Sequence, residues 1–230
     1  MKNIVKLRRS RAVTDINNLM IANGFNKPLV AFSAGPDSCF LLAACYCLAL
    51  RKSSSHFKFH ACHVNHNLRE NSYIDENLSR DICKMFNIDL DIIGLNIKQK
   101  SNLYHVARKA RYDVLYDCAL KNKCDCIMTA HHGDDLVETV VMQMARGVDM
   151  EKIGMREVGE WKGMPLLRPL YSYTKKEING IVDSSNIPYV LDPSNESERT
   201  RSKIRKNILP VLKEINPSIH MTMKRIFVKK

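Results

Sequence analysis

A turn of small residues, SAGPDS at positions 33–38, is the first place where this sequence could do chemistry. A short apolar run at 29–32 precedes the turn and predicts a buried strand, and a longer apolar run at 39–50 follows it and predicts a helix. The start of a helix leaves backbone N–H groups without partners and favours negative charge. The turn therefore predicts a phosphate site, in which Ser33 and Ser38 donate hydrogen bonds and Asp37 shares Mg²⁺ with the phosphates.

Taken alone, this turn also fits an ordinary Gly-Pro connection between a strand and a helix. It has no lysine and a shorter spacing than the GxxxxGK[ST] loop, and it does not match GxGxxG. Its second residue, Ala34, is strained if its φ angle is positive and unstrained if that angle is negative.

A second group of titratable residues, TAHHGDDLVET at 129–139, lies where a predicted strand gives way to a predicted helix. Asp135 and Glu138 are three residues apart, so their carboxylates share one helical face and could hold Mg²⁺ or clamp a cationic amine. His131 and His132 could bind phosphate or assist proton transfer. The same residues also fit a polar helix cap, or a metal site with HHxDD spacing.

Arg108 and Arg111 share a face of a helix predicted at 103–122. They fit a solvated basic face, or a pair directed at phosphate that stabilises developing charge.

Four predicted strands, at 29–32, 57–64, 90–95 and 126–130, alternate with helices at 39–50, 74–86, 103–122 and 136–144. This alternation predicts an α/β fold with a doubly wound, mainly parallel sheet, whose ligands collect at the carboxyl ends of the strands. Further helices are predicted at 13–22 and 175–184. Residues 154–161 are predicted to be irregular, and 201–212 to form a basic helix that is bent or broken at Pro210. We expect a nucleotide-binding catalytic domain at 1–195 and a basic helical tail at 196–230.

The chain of 230 residues carries a formal net charge of +12. Positive charge is concentrated at residues 1–11 and 199–230. This distribution predicts a polyanionic partner such as a nucleic-acid backbone, although a basic protein without such a partner has the same composition.

Eight cysteines are present, and none belongs to a CxxC pair. Their spacing fits neither a zinc ribbon nor a disulfide framework, and it predicts buried, reduced thiols in a cytoplasmic protein. No secretory signal is visible, and the longest apolar run, at 39–50, is too short to span a bilayer. We therefore expect no membrane association.

Six segments together resemble the tRNA(Ile)-lysidine synthetases, a family of PP-loop N-type ATP pyrophosphatases. They are SAGPDS (33–38), HVNHNLRENSYIDE (63–76), ARKARYDVLY (107–116), TAHHGDDLVETVVMQMARG (129–147), PLLRPL (165–170) and RSKIRKNILPVL (201–212). The resemblance covers about residues 28–212, with the segments in one order and at consistent spacing. Two departures are visible: Ala34 replaces a glycine, and RSKIR replaces an RNRIR-like run at 201–205. Many members carry extra C-terminal domains, and this chain looks like a form with the catalytic domain only.

The resemblance implies a two-step reaction on the wobble cytidine in the CAU anticodon of tRNA(Ile). ATP adenylates the C2 oxygen and pyrophosphate leaves; the ε-amine of free L-lysine then attacks C2 and AMP leaves, which changes codon specificity from AUG to AUA. A PP-loop tRNA thiolase is an alternative, which the missing CxxC pairs disfavour. A non-catalytic, ATP-dependent RNA-binding module is another. A homodimer is compatible with the sequence.

The resemblance also implies roles for particular residues. Asp37, Arg108, Arg111, Asp135 and Glu138 would be catalytic, with Asp37 holding Mg²⁺ and with Asp135 and Glu138 binding lysine. The expected ATP contacts are Ser33, Ala34, Gly35, Pro36, Asp37, Ser38, His63 and His131. The expected tRNA contacts are Arg201, Lys203, Arg205 and Lys206.

Overall fold

The computed structural model of this chain describes residues 5–8, 10–54, 56–65, 72–95, 103–191 and 200–228, which are built around a six-stranded sheet. The strands are β1 (Pro28–Ala31), β2 (His60–Asn65), β3 (Leu90–Gly94), β4 (Cys126–Met128), β5 (Val158–Trp161) and β6 (Met164–Leu167). Their order across the sheet is β3-β2-β1-β4-β6-β5. Every neighbouring pair is parallel except β5 and β6, which are antiparallel. The predicted doubly wound α/β fold with a mainly parallel sheet is confirmed.

The predicted helices before residue 190 all occur, with ends that differ from the sequence estimate by a few residues. The described helices are α1 (Val5–Arg8), α2 (Arg11–Ala22), α3 (Pro36–Ala49), α4 (Ser72–Phe86), α5 (Leu103–Lys121), α6 (Gly133–Met144), α7 (Lys175–Ser184), α8 (Thr200–Lys203), α9 (Leu209–Ile215) and α10 (Ile219–Phe227). Within these described ranges, no helix combines the length and the apolar character that crossing a bilayer requires.

Two apolar clusters cover the two faces of the sheet. On one face, α2, α3 and α7 pack around Val30 of β1 and Met128 of β4. On the other face, α5 packs against Leu29 and Ile127 of the same two strands. Helix α3 buries residues all around its circumference because it lies between the sheet and other helices, which explains its uniformly apolar run. All eight cysteines are buried and free, so the prediction of buried thiols is confirmed.

Strand order places a crevice beside β1. The chain runs from β1 outward through β2 to β3, and then returns to add β4 on the other side of β1. At such a reversal the connections leave β1 and β4 toward opposite faces, and a cleft opens at their carboxyl ends. The SAGPDS turn follows β1 and the His131 segment follows β4, so both predicted chemical stretches reach this cleft.

The prediction that residues 154–161 are irregular is wrong for its second half, because β5 spans Val158–Trp161. Lys162 and Gly163 have φ angles of 50° and 83°, so they form a two-residue turn with both residues left-handed. Turns of this kind suit the twist of a β-hairpin and join β5 to β6. The Lys-Gly pair before an apolar run was the local signal for this hairpin.

The basic helix predicted at 201–212 is interrupted by one turn of π-helix, Ile204–Ile208, between α8 and α9. Pro210 has no N–H and its ring clashes with the carbonyl four residues earlier, so a regular α-helix cannot pass through it. A wider turn before the proline is the local solution. The expected domain boundary at residue 195 lies outside the described residues.

The tail helix α10 packs closely on the start of α6. A Cβ atom on Gly133 would lie 2.8 Å from Cβ of His220 and 2.9 Å from the carbonyl oxygen of Tyr171. Gly133→Ala is therefore expected to lower the free energy of unfolding by about 1–3 kcal/mol, the usual cost of overpacking. Urea denaturation measures the change.

Gly180→Ala is the matched control, because Gly180 lies inside α7 with nothing within 4 Å of its added Cβ. Alanine is expected to stabilise that helix by up to about 1 kcal/mol. Equal effects of the two substitutions would contradict close packing at Gly133.

Candidate functional site

A cavity of about 370 Å³ lies at the carboxyl ends of β1, β2 and β4. The SAGPDS turn contributes Ser33, Gly35, Asp37 and Ser38 to its wall, and Thr129, Ala130, His131, Arg111 and Leu115 line the remainder with residues of β1 and β2. The fold therefore brings together the phosphate turn, the end of β4 and one of the two predicted arginines. Thr129, at the end of β4, lies 91 residues after Ser38 in the phosphate turn.

The SAGPDS turn is held in shape by its own hydroxyl groups. The backbone N–H of Ser33 donates to Oγ of Ser38 over 3.2 Å, and that hydroxyl donates to the carbonyl oxygen of Gly35 over 2.9 Å. Helix α3 starts at Pro36, within the SAGPDS segment. Its first free N–H groups and its dipole therefore face the cavity, which makes the turn suitable for a phosphate.

Ala34 adopts the left-handed conformation, with a φ angle of 58°. The cost is about 1 kcal/mol relative to glycine, which explains why related turns carry glycine there. The residue is fully buried, and its carbonyl oxygen accepts a 2.9 Å hydrogen bond from the N–H of Val190. Contacts from outside the turn thus hold Ala34 in its strained conformation.

The carboxylate of Asp37 meets a cation that the sequence did not identify. Nζ of Lys175, the first residue of α7, donates to Oδ1 of Asp37 over 2.6 Å, and Nε2 of His132 lies 3.9 Å from the same oxygen. The Asp37 side chain is 28% exposed, so it remains open to the cavity. An open carboxylate beside a phosphate site fits the hard oxygen ligand that Mg²⁺ prefers.

Asp135 and Glu138 lie on the same face of α6, as predicted, but Glu138 is fully enclosed. Its Oε1 accepts a 2.6 Å hydrogen bond from Nε of Arg205, and its Oε2 accepts a 2.9 Å bond from Nε of Arg201. Asp135 is also in this cluster, with Oδ1 3.6 Å from Arg205. The tail thus neutralises the acidic face of α6, and two of the four predicted tRNA-binding residues point into the protein.

Helix α6 begins three residues before its predicted start, and His132 explains the difference. The backbone N–H of His132 donates to Oδ2 of Asp135 over 3.1 Å, which caps the helix. Burial alone would raise the pKa of Asp135, but its electrostatic interactions with the neighbouring histidine and arginine side chains, together with the hydrogen bond from the His132 N–H, lower that pKa below its usual range. Asp135 is therefore ionised at neutral pH.

His131 faces the cavity as a neutral imidazole. Burial lowers its pKa, Asp135 opposes that shift, and Arg168 and Arg111 lower the pKa further. Nδ1 of His131 lies 2.8 Å from the hydroxyl of Thr129, which orients the ring. A neutral, oriented imidazole can exchange hydrogen bonds or a proton with a ligand in the cavity.

The predicted arginine pair lies over an aromatic side chain. The guanidinium carbons of Arg108 and Arg111 are 5.0 and 5.2 Å from the ring centre of Tyr112, which stacks on Trp161. Such contacts fix the orientation of the cations without neutralising them. Arg111 reaches the cavity wall.

Arg168 is a further cation that sequence reasoning did not single out. It is buried at the end of β6, where its guanidinium donates to the carbonyl oxygen of Arg156 over 2.7 Å. Gly159 makes room for it, because a Cβ there would lie 3.0 Å from the guanidinium. A lone arginine in the apolar run PLLRPL was the signal for it.

The structure does not bring His63 to the cavity. Successive strand residues point to opposite faces, so Cys62 and Val64 line the cavity while His63 faces α4. There its Nδ1 lies 3.0 Å from the hydroxyl of Ser79 and 3.1 Å from the carbonyl oxygen of Phe32. Residues 66–71 of the HVNHNLRENSYIDE segment lie outside the described residues.

Lys203 and Lys206, the other two predicted tRNA contacts, are exposed. Within the part of the chain that the structure describes, neither forms an ion pair. The four predicted tRNA contacts therefore form two pairs. Arg201 and Arg205 point into the protein, and Lys203 and Lys206 point outward.

Glu138→Gln is expected to lower the free energy of unfolding by about 3 kcal/mol, because two guanidinium groups lose a buried carboxylate. Water recovers part of this loss, since the side chains of Arg201 and Arg205 are 36% and 40% exposed. Urea denaturation measures it, with Glu214→Gln on the exposed side of α9 as the control. Equal stability of the two variants would show that this cluster does not hold the tail.

Residues 8–212 match the profile of the family described as PP-loop domain. The chain is 33% identical over 184 residues to the tRNA(Ile)-lysidine synthase of Mesoplasma florum, an alignment that covers 78% of this chain and 45% of that protein. It is 34% identical over 206 residues to the tRNA(Ile)-lysidine synthase of Thermotoga maritima, with coverage of 86% and 48%. The chain spans less than half the length of these curated relatives.

Solved structures share the fold at low sequence identity. The U34-tRNA thiolase NcsA from Methanococcus maripaludis superimposes with a TM-score of 0.78 at 16% identity, covering 93% of this chain and 75% of that one. The NH3-dependent NAD synthetase from Campylobacter jejuni gives a TM-score of 0.56 at 14% identity, covering 96% and 92%. At such identities the similarity concerns the fold alone.

Proposed function

Because this chain belongs to the PP-loop domain family, we propose that it is a tRNA(Ile)-lysidine synthase, an ATP-dependent ligase that forms a carbon–nitrogen bond. The identity of a third to synthases of that name supports the proposal. The observation that carries it is the meeting of the phosphate turn, His131 and Arg111 in one cavity, with the acidic pair Asp135 and Glu138 on the helix that follows His131.

The proposed reaction has two steps on the wobble cytidine of a CAU anticodon. In the first, the C2 oxygen bonds to the α-phosphorus of ATP, and the bond to the β-phosphate breaks to release pyrophosphate. In the second, the lysine ε-amine bonds to C2, the bond between C2 and its oxygen breaks, and AMP leaves with that oxygen. The amine loses a proton as it attacks, so a base must stand beside it.

The phosphate turn is placed to receive the β- and γ-phosphates. Ser33 and Ser38 offer hydroxyl groups, and the start of α3 offers N–H groups. Asp37 would hold Mg²⁺, which supplies positive charge to the leaving pyrophosphate. Lys175 already neutralises Asp37 and can turn toward the phosphates. Arg108 and Arg111 would stabilise charge on the activated base.

Asp135 and Glu138 would hold the amine-bearing substrate. Both oxygens of Glu138 are bonded to guanidinium groups, so an ammonium reaches this carboxylate only when Arg201 or Arg205 shifts. Asp135 is held more loosely, at 3.6 Å from Arg205. We therefore assign the direct contact with the ammonium to Asp135 and a supporting role to Glu138.

Lys203→Gln combined with Lys206→Gln is expected to weaken tRNA binding and to flatten its salt dependence. The logarithmic slope should fall by about 0.7–0.9 for each phosphate that the protein no longer neutralises. Binding titrations at several salt concentrations measure the slope. Lys58→Gln with Lys84→Gln removes the same charge from exposed positions elsewhere, and an equal effect of that pair would contradict a specific RNA contact.

The proposed function is tested by incubating the protein with ATP, labelled lysine and total tRNA. Label in tRNA(Ile), together with AMP and pyrophosphate, is the expected result. A tRNA thiolase would consume a sulfur donor and leave lysine free, and a non-catalytic RNA-binding module would release no pyrophosphate. We also propose a cytoplasmic location; a homodimer stays a prediction.

A further inference from the structure

A second group of polar side chains lies at the opposite end of the sheet from the cavity. His60 is the first residue of β2, Asp91 is the second residue of β3, and Cys118 lies in the last turn of α5. One ligand atom from each lies within 4.8 Å of those of the other two. His60 and Asp91 lie at the amino ends of their strands and Cys118 at the carboxyl end of α5, so the proposed function leaves them without a role.

The distances among these atoms suit a small tetrahedral metal ion. Nε2 of His60 lies 3.1 Å from Oδ2 of Asp91, and Sγ of Cys118 lies 3.4 Å from the same oxygen. Zinc binds nitrogen, oxygen and sulfur at about 2.0–2.3 Å, so tetrahedral ligands lie about 3.3–3.8 Å apart. Imidazole, carboxylate and thiolate are also the ligand types that zinc accepts.

The hydrogen bonds of the group have the pattern that a cation would replace. The Nε2–H of His60 and the S–H of Cys118 both point at one carboxylate oxygen. Asn122 donates to the same oxygen over 2.7 Å, and Lys121 donates to Oδ1 over 3.0 Å. These two donors can orient the carboxylate from outside the ligand shell. The Lys121 side chain is 69% exposed and free to move.

Cys62 supplies a fourth candidate ligand. It pairs in register with Asp91 across β2 and β3, and it is buried beside Cys118. Cys62 and Cys118 belong to the same buried cluster between the sheet and α5.

We propose that His60, Asp91 and Cys118, with Cys62 as the fourth ligand, form a zinc site that ties β2, β3 and α5 together. Zinc binding releases the thiol protons of both cysteines to solvent. The neutral imidazole keeps its one proton by carrying it on Nδ1 and coordinates through Nε2. We assign this site a structural role, because protein would fill all four positions. Cys62 also borders the cavity, so its ligation would join the metal site to the cavity wall.

The reduced, chelator-treated chain is titrated with Co²⁺ and then Zn²⁺. One Co²⁺ per chain should give a thiolate-to-metal charge-transfer band that Zn²⁺ removes, and Zn²⁺ should raise the Tm. Cys118→Ser and Asp91→Asn should each weaken binding by at least about 100-fold, beyond the usual effect of an outer contact. Cys83→Ser, a buried thiol on α4, is the control and should bind normally.

Three results would overturn the proposal. They are the absence of a charge-transfer band at stoichiometric Co²⁺, an unchanged Co²⁺ affinity in Cys118→Ser, and an equal loss of binding in Cys83→Ser. Circular dichroism of the metal-free variants verifies that each is folded. Cys62→Ser separates a four-ligand site from a three-ligand one, since an unchanged affinity in that variant contradicts its assigned role.

Discussion

Asp37→Asn is expected to stop ATP-dependent pyrophosphate release while leaving the fold intact. Asparagine keeps the shape of the side chain and loses the charge that would hold Mg²⁺ beside the phosphate turn. Changes in contacts outside the metal shell already cost about 10–100-fold, so removal of a ligand should reduce kcat/KM by at least about 100-fold. Pyrophosphate release with saturating tRNA and lysine measures the reduction.

Asp149→Asn is the control for this variant, since Asp149 is an exposed carboxylate whose partner is Lys152 on the surface. It should release pyrophosphate at the normal rate. An Asp37→Asn protein that melts and reacts like the unmodified chain would remove Asp37 from the proposed mechanism.

Asp135→Asn should raise the KM for lysine strongly and change the KM for ATP little. Asp135 is ionised and only 14% exposed, so an ammonium bound beside it is largely removed from water. Losing one partner of such a charge pair costs on the order of 2–5 kcal/mol, which corresponds to at least about 30-fold in KM. Steady-state titrations of lysine at saturating ATP measure the effect.

Two competing roles for Asp135 predict different results for the Asp135→Asn variant. If the acidic pair holds Mg²⁺, the dependence on metal and ATP shifts in Asp135→Asn while the dependence on lysine does not. If Asp135 mainly anchors the tail, its variant loses stability as Glu138→Gln does. An unchanged KM for lysine would end the assignment of Asp135 to substrate binding.

The sequence is sufficient to predict those parts of the fold whose determinants lie close together in the chain. The SAGPDS turn, the strand before it and the helix after it follow from small residues between two apolar runs. The predicted bounds of helix α7 agree with the structure to the residue, and Thr174 and Glu177 form a capping box that fixes its start locally. The positive φ of Ala34 required the structure, since a hydrogen bond from Val190, far along the chain, holds it.

The contacts that complete the site were not available from sequence. Lys175 meets Asp37 across 138 residues, and Arg205 meets Glu138 across 67. Such pairings depend on strand order and on the path of the tail, which periodicity does not encode. For the same reason, the sequence predicts four RNA contacts on the basic helix, whereas Arg201 and Arg205 bind Glu138 in the protein interior.

The enclosure of Glu138 by the tail has a consequence for folding during synthesis, because the two parts of this contact are made at different times. Arg201 lies 63 residues after Glu138, and all six strands precede it. A ribosome that adds about 5–20 residues per second reaches Arg201 roughly 3–13 s after Glu138. During that interval the carboxylate has no guanidinium to neutralise it, and it must stay hydrated. In the nascent chain, the contact between Glu138 and the tail therefore forms only after all six strands have been synthesised.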